Sequence, residues 1–438
     1  MDILELRTVV AELEDGAPVE DIPIRSVAEV LSSEDRERCR MGAYAIRLAA
    51  EKNAGAVVPC SRSVLLELPA RDPSVWSNLI RTVGLLKDRV PDVLEKASGA
   101  VIEGLSAADA EVRLQSAIAI MALAGTSPTL VTENVDALLD RLDDPNPRIR
   151  AIVFETLAKL TSEDEQAATE AVPRAADATT AGNARVRTNA LHFLAEAAES
   201  DPSSVAPYVD EVQTGLSDPA SLARSNAAYA MSHVGKVDPE GVAPYLDNLV
   251  DLLSDPEETA RGNSSSALIE VGNELPKRLP TERTGERLAA LLDTPIVSVQ
   301  ENAVYLTALV VQHDRKAIVD PGVVKDRIRE LRSDSVVDVP DDIFDWILSA
   351  LDTVGGASCG RVSDDPEQTR DDTNPGRERS DADQGNSPER RRGDRGGKTG
   401  SYSTEIFNTS STVSCPGCGT DLTAFNNPAF CPECGKGL

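Results

Sequence analysis

Four of the seven cysteines lie in the last 24 residues and form two Cys-x-x-Cys pairs, Cys415 with Cys418 and Cys431 with Cys434. Each pair forms a tight knuckle, and the 12 residues between the pairs allow the two knuckles to meet. Four thiolates in this arrangement make a tetrahedral site that suits Zn²⁺. Because four protein ligands leave no position for a water molecule, we expect one structural zinc ion and no zinc catalysis.

The cysteine spacing leaves two other interpretations open, a redox dithiol pair and a rubredoxin-like iron site. Phe425 and Phe430 are the only aromatic residues that could pack over the site, so a unit this small needs its metal to fold. Residues 413–438 resemble the short zinc ribbons that end many archaeal and bacterial proteins. Some ribbons of this kind bind proteins and others bind nucleic acid.

The remaining side chains that could do chemistry are scattered. Cys39, Cys60 and Cys359 stand alone, and we expect them to be core residues. The three histidines lie outside any metal-binding or triad motif, and the chain has no Gly-rich phosphate loop, nucleophile elbow or HExxH helix. The sequence therefore predicts a protein that is not an enzyme, with no catalytic residues and no cofactor besides zinc.

A period of 37 residues organises most of the chain. Arginine recurs at this spacing five times, and asparagine and proline form further columns; the columns are Arg113, Arg150, Arg187, Arg224 and Arg261, then Asn189, Asn226 and Asn263, then Pro207 and Pro244. Extending the arginine column reaches Cys39 and Trp76 upstream, and Gln300 downstream after a two-residue insertion. Such a period is the mark of a stacked repeat protein.

Each unit reads as two helices separated by an Asp-Pro turn. In one unit we expect a first helix over Val242 to Leu253, a cap at Ser254 or Asp255, and a second helix over Ala260 to Val271. Small or apolar residues occupy positions +3, +4, +7 and +10 from the arginine and make one stripe on the second helix. A single pair cannot bury this stripe, whereas stacked neighbours can.

These motifs resemble HEAT-type repeats, specifically the Asp-Pro-x-x-x-Arg variety of the bilin-lyase-like subgroup, over roughly residues 20–352. The resemblance implies an all-α, right-handed solenoid of about eight two-helix repeats, which we assign to residues 1–354. We expect Asp342 to Leu351 to supply a final capping helix. We expect the arginines to pair with the aspartates of the Asp-Pro turns.

Positions +2, +5 and +9 of the second helices lie opposite the core stripe and should form the concave face. The partner-binding candidates there are Asn189, His192, Asn226, Tyr229, His233, Asn263, Asn302 and Tyr305, with Glu196, Ser266, Glu270 and Leu309 beside them. Solenoids present such faces to partners. Equally, the asparagines could simply bond to neighbouring turns of the fold.

Residues 355–412 hold few aliphatic side chains and are predicted to be a disordered linker. Within the linker, Arg390 to Lys398 holds five basic residues and one acidic residue. Such a run could contact nucleic acid or phosphate, but we favour a solvated linker, since residues 355–414 have a net charge of only −2. The N-terminus shows no signal peptide and no apolar run is long enough to span a membrane, so we expect a soluble, cytoplasmic protein.

The whole chain of 438 residues has 44 basic and 73 acidic side chains, a formal net charge of −29. Its 41% apolar content excludes wholesale disorder, and its charge argues against a general basic surface for nucleic acid. Residues 1–354 carry −26 of the charge, and this acidic, lysine-poor composition resembles that of haloarchaeal proteins. At molar salt such charge is largely screened, which weakens the argument against nucleic acid.

The sequence therefore predicts a non-enzymatic scaffold or adaptor that binds a protein partner through the solenoid groove, with the zinc ribbon as a second contact. The alternatives are a nucleic-acid-associated accessory factor that uses the ribbon and the Arg/Gly linker, and a lyase-like or regulatory module. The sequence indicates no membrane partner.

Overall fold

The computed structural model describes residues 1–352 apart from residues 91, 335 and 336, and the regular secondary structure in these ranges is entirely helical. The predicted linker 355–412, the predicted ribbon 413–438 and the four clustered cysteines lie outside the described residues. No helix in the described ranges is long and apolar enough to cross a bilayer.

The α-helices follow one another in chain order as α1 (Ile3–Glu14), α2 (Ile24–Glu29), α3 (Arg36–Lys52), α4 (Ala54–Val57), α5 (Ser61–Leu66), α6 (Pro73–Leu86), α7 (Val93–Leu105), α8 (Ala110–Thr126), α9 (Pro128–Thr132), α10 (Val135–Leu139), α11 (Pro147–Ala158), α12 (Glu165–Ala178), α13 (Ala184–Ser200), α14 (Pro202–Val205), α15 (Val209–Val212), α16 (Ser221–Val234), α17 (Pro239–Val242), α18 (Leu246–Leu252), α19 (Glu258–Glu274), α20 (Thr281–Gly285), α21 (Leu288–Leu292), α22 (Val297–His313), α23 (Pro321–Ser333) and α24 (Asp341–Asp352). Short 3₁₀ helices lie at Val19–Asp21, Val30–Ser32, Val58–Cys60, Ala206–Tyr208, Gln213–Ser217, Ala243–Tyr245, Pro276–Arg278 and Arg315–Ala317.

The helices form two layers. One layer holds the second helix of each repeat, and its eight members in the described ranges are α3, α6, α8, α11, α13, α16, α19 and α22. Each second helix packs against the second helix before it and the one after it. The shorter and often broken first helices form the other layer. The all-α solenoid predicted from the 37-residue period is confirmed.

Ion pairs between an arginine of one repeat and an aspartate of the next hold the second helices in register. Three arginines donate from Nε to an aspartate 31 residues later, at Arg113–Asp144 (2.7 Å), Arg187–Asp218 (2.6 Å) and Arg224–Asp255 (2.6 Å). The predicted pairing with the Asp-Pro turns is confirmed for these three. The structure adds that each aspartate belongs to the turn of the following repeat, so the bond crosses from one repeat to the next.

Arginines of the same column also hold the turns of their own repeats. Arg187, Arg224 and Arg261 each donate from Nη1 to the carbonyl oxygen six residues earlier, at 2.8–2.9 Å. Gln300, which takes the arginine position in the last repeat, donates from Nε2 to Thr294 O at 2.7 Å. Glutamine in place of arginine therefore keeps the hydrogen bond to the turn of its own repeat. This bond needs only one N–H donor at the end of a long side chain.

The starts of the second helices differ from the prediction. Helix α19 begins at Glu258 and ends at Glu274, so it is longer at both ends than Ala260 to Val271. The expectation that Ser254 or Asp255 caps this helix is wrong, because Glu257 is its N-cap residue and the Asp255 carboxylate is held by Arg224. In other repeats the N-cap position, four residues before the arginine position, holds Asp109, Asn146 or Asn183, whose side chains accept backbone N–H groups of the first turn.

The first helix of this repeat is interrupted. The single helix predicted over Val242 to Leu253 is divided into α17, the 3₁₀ helix Ala243–Tyr245 and α18. Pro244 lies in the 3₁₀ segment and has no N–H to donate to the carbonyl four residues earlier, so the α-helix cannot continue through it. Pro207 produces the same break in the preceding repeat.

The core lies between the layers and along the second helices, as predicted. Residues at +3, +4, +7 and +10 are at most 2% exposed in the two repeats for which the stripe was predicted; they are Ala190, Leu191, Leu194, Ala197, Ala227, Ala228, Met231 and Val234. Small side chains at +3 and +4 allow neighbouring second helices to approach closely. The larger Phe154 and Phe193 pack together in the middle of the stack, with ring centroids 6.4 Å apart.

Each end of the stack is covered by a helix that extends the second-helix layer. Helix α1 packs on α3, and α24 packs on α22 and α23. The predicted capping helix is observed, and it buries Phe344, Ile347, Ala350 and Leu351 while its other side carries acidic residues.

We expect Ala181→Asp to stabilise the solenoid by about 1 kcal/mol, the usual scale of one charge-assisted hydrogen bond near a surface. Ala181 stands where three other repeats have the paired aspartate, 31 residues after Arg150. Its N–H bonds to Ala178 O at 3.1 Å, as the N–H of Asp218 bonds to Gly215 O at 3.1 Å, so the backbone already has the required turn. The measurement is the urea-unfolding free energy.

The matched control is Ala181→Asn. Its amide oxygen can accept a backbone N–H as an aspartate oxygen does, but the amide brings no charge to Arg150. The reverse change, Asp255→Ala, should cost about 1–3 kcal/mol because Arg224, whose side chain is only 17% exposed, loses its anion. Equal stability of the Asp and Asn variants would contradict the assigned role of the arginine link.

Candidate functional site

The second helices carry all the residues predicted to bind a partner. Neighbouring second helices make more extensive contact than neighbouring first helices do. A stack curves toward the layer whose members approach most closely, so we infer that the second helices line its inner side. The inner face is defined here as positions +2, +5 and +9 from the arginine position on α13, α16, α19 and α22.

The candidate residues lie on this face, with one exception among their neighbours. Each of the eight partner-binding candidates is half-buried on a second helix; they are Asn189, His192, Asn226, Tyr229, His233, Asn263, Asn302 and Tyr305. Leu309 was expected beside them, but it is only 7% exposed. Its side chain packs over Gly272, where no room for a Cβ remains, so Leu309 is part of the core and the expectation was wrong.

The asparagines form a ladder of hydrogen bonds between second helices. Each side-chain Nδ2 donates to a backbone carbonyl of the preceding second helix: Asn189 to Ala151 O (2.8 Å), Asn226 to Thr188 O (3.3 Å), Asn263 to Ser225 O (3.0 Å) and Asn302 to Gly262 O (3.2 Å). Each acceptor follows an arginine position by one residue. The asparagines therefore have a structural role, as one of the two alternatives held, but they bond to the neighbouring second helix and not to a turn, and their amides help to space the inner face.

A polar cluster lies where α11 meets α13. Asn189 Nδ2 and Arg185 Nη2 both donate hydrogen bonds to Glu155 Oε2, each at 3.3 Å. His192 Nδ1 lies 3.8 Å from Glu196 Oε1, and the His192 side chain is 39% exposed. Burial, helped by the nearby Lys159 ammonium and opposed by Glu155, lowers the pKa of His192. Glu155 was not among the predicted residues, although it stands at position +5 from Arg150, as His192 does from Arg187 and Tyr229 from Arg224, so the 37-residue register could have identified it.

The next repeat adds an aromatic pair. Tyr229 and His233 meet edge to face, with ring centroids 4.7 Å apart and planes at 64°. Burial and the carboxylate of Glu199 raise the pKa of Tyr229, while burial and Lys236 lower the pKa of His233 against the opposing effect of Glu199. The inner face here offers neutral hydrogen-bonding and aromatic groups in place of a strong charge.

The described cysteines are not poised for nucleophilic chemistry. Cys60 is buried, its Sγ lies 3.8 Å from Ile24 O, and burial raises its pKa. Cys39 is half-buried, donates to Leu31 O at 3.1 Å, and also has a pKa raised by burial. A thiol with a raised pKa holds little thiolate at neutral pH. Within the described ranges, no group of three or more His, Cys, Asp or Glu side chains could hold a metal ion.

The repeats, the two-layer packing and the comparisons with known proteins agree on the class of protein. The chain is a HEAT-like α-solenoid repeat protein. Residues 74–202 match the family model Cnd1, described as non-SMC mitotic condensation complex subunit 1.

Among solved structures, a crystal structure of an engineered protein from a structural genomics consortium matches with a TM-score of 0.64 and 17% identity, over 80% of this chain and 94% of that one. A second engineered protein matches with a TM-score of 0.43 and 18% identity, over 49% of this chain and 98% of that one. The first of these likenesses shows that the two chains share a fold. No curated protein matches the chain.

We expect Glu196 to titrate near neutral pH, since burial and the nearby Glu199 raise its pKa to about 7. The folded state then binds more protons than the unfolded state between about pH 4.5 and 7, so this carboxyl lowers stability as the pH rises through that range. Glu196→Gln should be more stable than the native protein at pH 8, on the order of 1–3 kcal/mol, with the difference vanishing near pH 4.5.

Side-chain NMR titration of Glu196 measures the pKa directly, and urea unfolding at pH 5 and pH 8 measures the linkage. Glu170→Gln on the exposed side of α12 is the matched control, because it removes the same charge from the first-helix layer. A Glu196 midpoint near 4.5 would show that the inner face does not desolvate this carboxyl.

Proposed function

We propose that the chain is a non-enzymatic scaffold that binds a protein partner along its inner face. The observation that carries the proposal is the continuous row of half-exposed amide, imidazole and phenol groups on α13, α16, α19 and α22, set over a core of small apolar residues. HEAT-repeat domains are typically protein-interaction scaffolds, and the matched family is named for a subunit of a multiprotein complex. The bilin-lyase-like subgroup and the right-handed sense of the solenoid belong to the same proposal.

The geometry of the inner face favours recognition by hydrogen bonds and aromatic contact. The second helices are rigidly spaced by the asparagine ladder, so the exposed groups of successive repeats are held at fixed separation. An extended segment of a partner could contact several repeats at once, as concave solenoid surfaces do. Since His192, His233 and Glu196 are shifted toward their neutral forms, recognition in this region should depend little on salt.

We expect the double variant His192→Ala/His233→Ala to lose a partner that the native full-length chain retains. The measurement is quantitative mass spectrometry of proteins captured from the native host's lysate. The control is Thr169→Ala/Glu170→Ala on α12, two exposed residues of the first-helix layer. A partner of the inner face is retained by the native and control chains and lost from the double variant; if no protein follows that pattern, the proposal fails.

We also propose that residues 413–438 form a zinc ribbon that makes a second contact. The support is the ligand set, Cys415, Cys418, Cys431 and Cys434, whose types and spacing suit a tetrahedral thiolate site. Two modules on one chain gain affinity when both engage the same assembly.

We expect one zinc ion per chain, which Cys418→Ser should remove because three thiolates hold Zn²⁺ far less tightly than four. Inductively coupled plasma mass spectrometry of the purified full chain measures the metal. Cys359→Ser is the control, since it removes a tail cysteine outside the cluster. Full zinc content in the Cys418→Ser variant would rule out this ligand set, and iron in its place would favour the rubredoxin-like alternative.

The alternative function, a nucleic-acid accessory factor, draws its support from the Arg390–Lys398 run and from the ribbon. It would appear as salt-dependent binding of a labelled oligonucleotide by the full chain.

A further inference from the structure

The first three second helices present an apolar surface at positions where the later ones are polar. Position +9 from the arginine position holds an apolar residue in three neighbouring repeats and a polar or charged one in the next four; the residues are Leu48, Leu85 and Ala122, then Lys159, Glu196, His233 and Glu270. On α8 the apolar surface also includes Ile118 at position +5. Leu48, Leu85, Ile118 and Ala122 are all half-buried and are called the N-terminal apolar patch.

The charge beside this patch is opposite in sign to that of the solenoid as a whole. With histidine counted as neutral, positions +5 to +13 of the first three repeats have a net charge of +3, whereas the same positions of the next four have a net charge of −4; the segments are residues 44–52, 81–89 and 118–126, then residues 155–163, 192–200, 229–237 and 266–274. Residues 1–354 together carry −26. The patch therefore lies in a locally positive part of a strongly acidic chain.

Two of the cations beside the patch share one carboxylate. Arg47 Nη1 lies 2.6 Å and Arg81 Nη2 lies 2.7 Å from the same oxygen atom, Glu51 Oε1. One carboxylate cannot compensate two guanidinium groups, so a positive charge remains beside the leucines. The Arg81 side chain is 38% exposed, and its guanidinium group has donors for a further anion.

Two more cations stand unpaired at the C-terminal edge of the patch. Lys52 ends α3 and Arg89 lies in the turn after α6, each four residues after a leucine of the patch. Both side chains are exposed, and neither forms an ion pair within the ranges that the structure covers. Asp88, the exposed neighbour of Arg89, is already counted in the net charge of +3. The edge thus offers cations to carboxylates from outside the chain.

Apolar side chains bordered by available cations suit a protein segment that combines apolar residues with carboxylates. Nucleic acid would use the cations but would leave the leucines uncovered, because its interfaces with proteins are polar. A flat membrane surface cannot follow the inner side of a curved stack. Charge and polarity together therefore favour an acidic segment of another protein.

The spacing of the patch favours a helix as that segment. Neighbouring helices pack about 8–10 Å apart, so position +9 recurs at about that distance along α3, α6 and α8. A helix laid along the stack returns the same face every seven residues, about 10.5 Å. A β-strand returns the same face every about 6.6 or 13 Å, which does not match one residue per repeat.

We propose that the N-terminal apolar patch binds an acidic amphipathic helix of a partner protein. Apolar residues of that helix, seven apart, lie over the patch, and carboxylates on its flank pair with Lys52, Arg81 and Arg89. Helices that bind in this way are recognised through anchors on one face, spaced by three, four and seven residues. This site goes beyond the proposed function, which places a partner on α13, α16, α19 and α22.

Fluorescence anisotropy with synthetic peptides tests the recognition. The probe is a labelled helix of about 22 residues, about 33 Å long, with leucines on one face and with alanine and glutamate elsewhere. One control peptide has the same composition with its leucines spread around the helix, and the other has lysine in place of glutamate. We expect the full-length chain to bind the probe at least about tenfold more tightly than either control.

Charge variants of the chain test the cations. Lys52→Gln/Arg89→Gln should raise the Kd for the probe about tenfold, and its binding should weaken less with added salt than that of the native chain. Arg62→Gln/Lys277→Gln removes two exposed cations from the first-helix layer and should change the Kd by less than about twofold.

Photo-crosslinking locates the bound probe. A p-benzoyl-phenylalanine at Asp88 lies on the exposed edge of the patch, and one at Leu66 lies on α5, where the native leucine is 72% exposed. We expect the probe to be crosslinked from position 88 and not from position 66. Leu85→Gln should raise the Kd about tenfold by removing apolar surface, with urea unfolding to show that the variant is folded.

The proposal is overturned if the probe and its control peptides bind equally, if position 88 crosslinks no better than position 66, or if the two glutamine pairs have equal effects. An oligonucleotide crosslinked from position 88 in preference to the probe would assign the cations to nucleic acid and would overturn it as well. These failures leave the proposed function intact if a partner is still lost from His192→Ala/His233→Ala. Conversely, binding of the probe without any such partner would support this site and contradict the scaffold surface on α13 to α22.

Discussion

The arginine that reaches from one second helix to the aspartate of the next turn is the contact on which the stack depends. A single repeat has too little apolar surface to fold alone, so its stability comes from its interfaces. Burial of small residues is non-directional and would tolerate sliding of one repeat on another. A bidentate arginine–carboxylate pair has one good geometry, and at Arg187 and Arg224 it couples the helix, its own turn and the following turn.

This link also accounts for the variation between repeats. Arg150 has Ala181 at the position of the paired aspartate, and Arg261 donates from Nη2 to Thr294 Oγ1 at 3.3 Å. These two junctions lack the ion pair but keep the bond to their own turn. At the N-terminal end the pair is supplied from another position, since Arg40, next to Cys39, bonds to Asp72 at 2.7 Å. The junctions of the stack are therefore unequal: the arginine–aspartate pair joins α8 to the turn before α11, α13 to the turn before α16 and α16 to the turn before α19, whereas the central junction of α11 with α13 lacks it.

The asparagines of the inner face have a structural role, and the recognition role proposed above falls on the same residues. The asparagine Nδ2 groups are committed to carbonyls of the preceding helix, whereas the side chains remain half-exposed. A partner could use the free lone pairs of these amides without breaking the ladder. The polarity of the face also changes along the stack. Burial favours neutral His192, His233 and Glu196 in the middle, whereas at the end burial and the nearby carboxylates of Glu301, Asp338 and Asp342 raise the pKa of Tyr305. The inner face thus presents neutral polar groups in its middle and carboxylates at its C-terminal end.

The sequence by itself determined the parts of this protein that repeat: the period, the helical pairs, the core positions such as Ala227 and Met231, and the face on which Asn226 and Tyr229 lie. Periodicity reveals these because every repeat solves the same packing problem at the same position. The tertiary structure alone decided that Arg224 serves the next turn, that Pro244 divides its helix, and that Leu309 is covered at Gly272. It also decided which carboxylates gather around Tyr305, since Glu301 and Asp338 are 37 residues apart and meet only when the chain returns across α22. Such contacts depend on the spacing between helices, which the order of residues does not express.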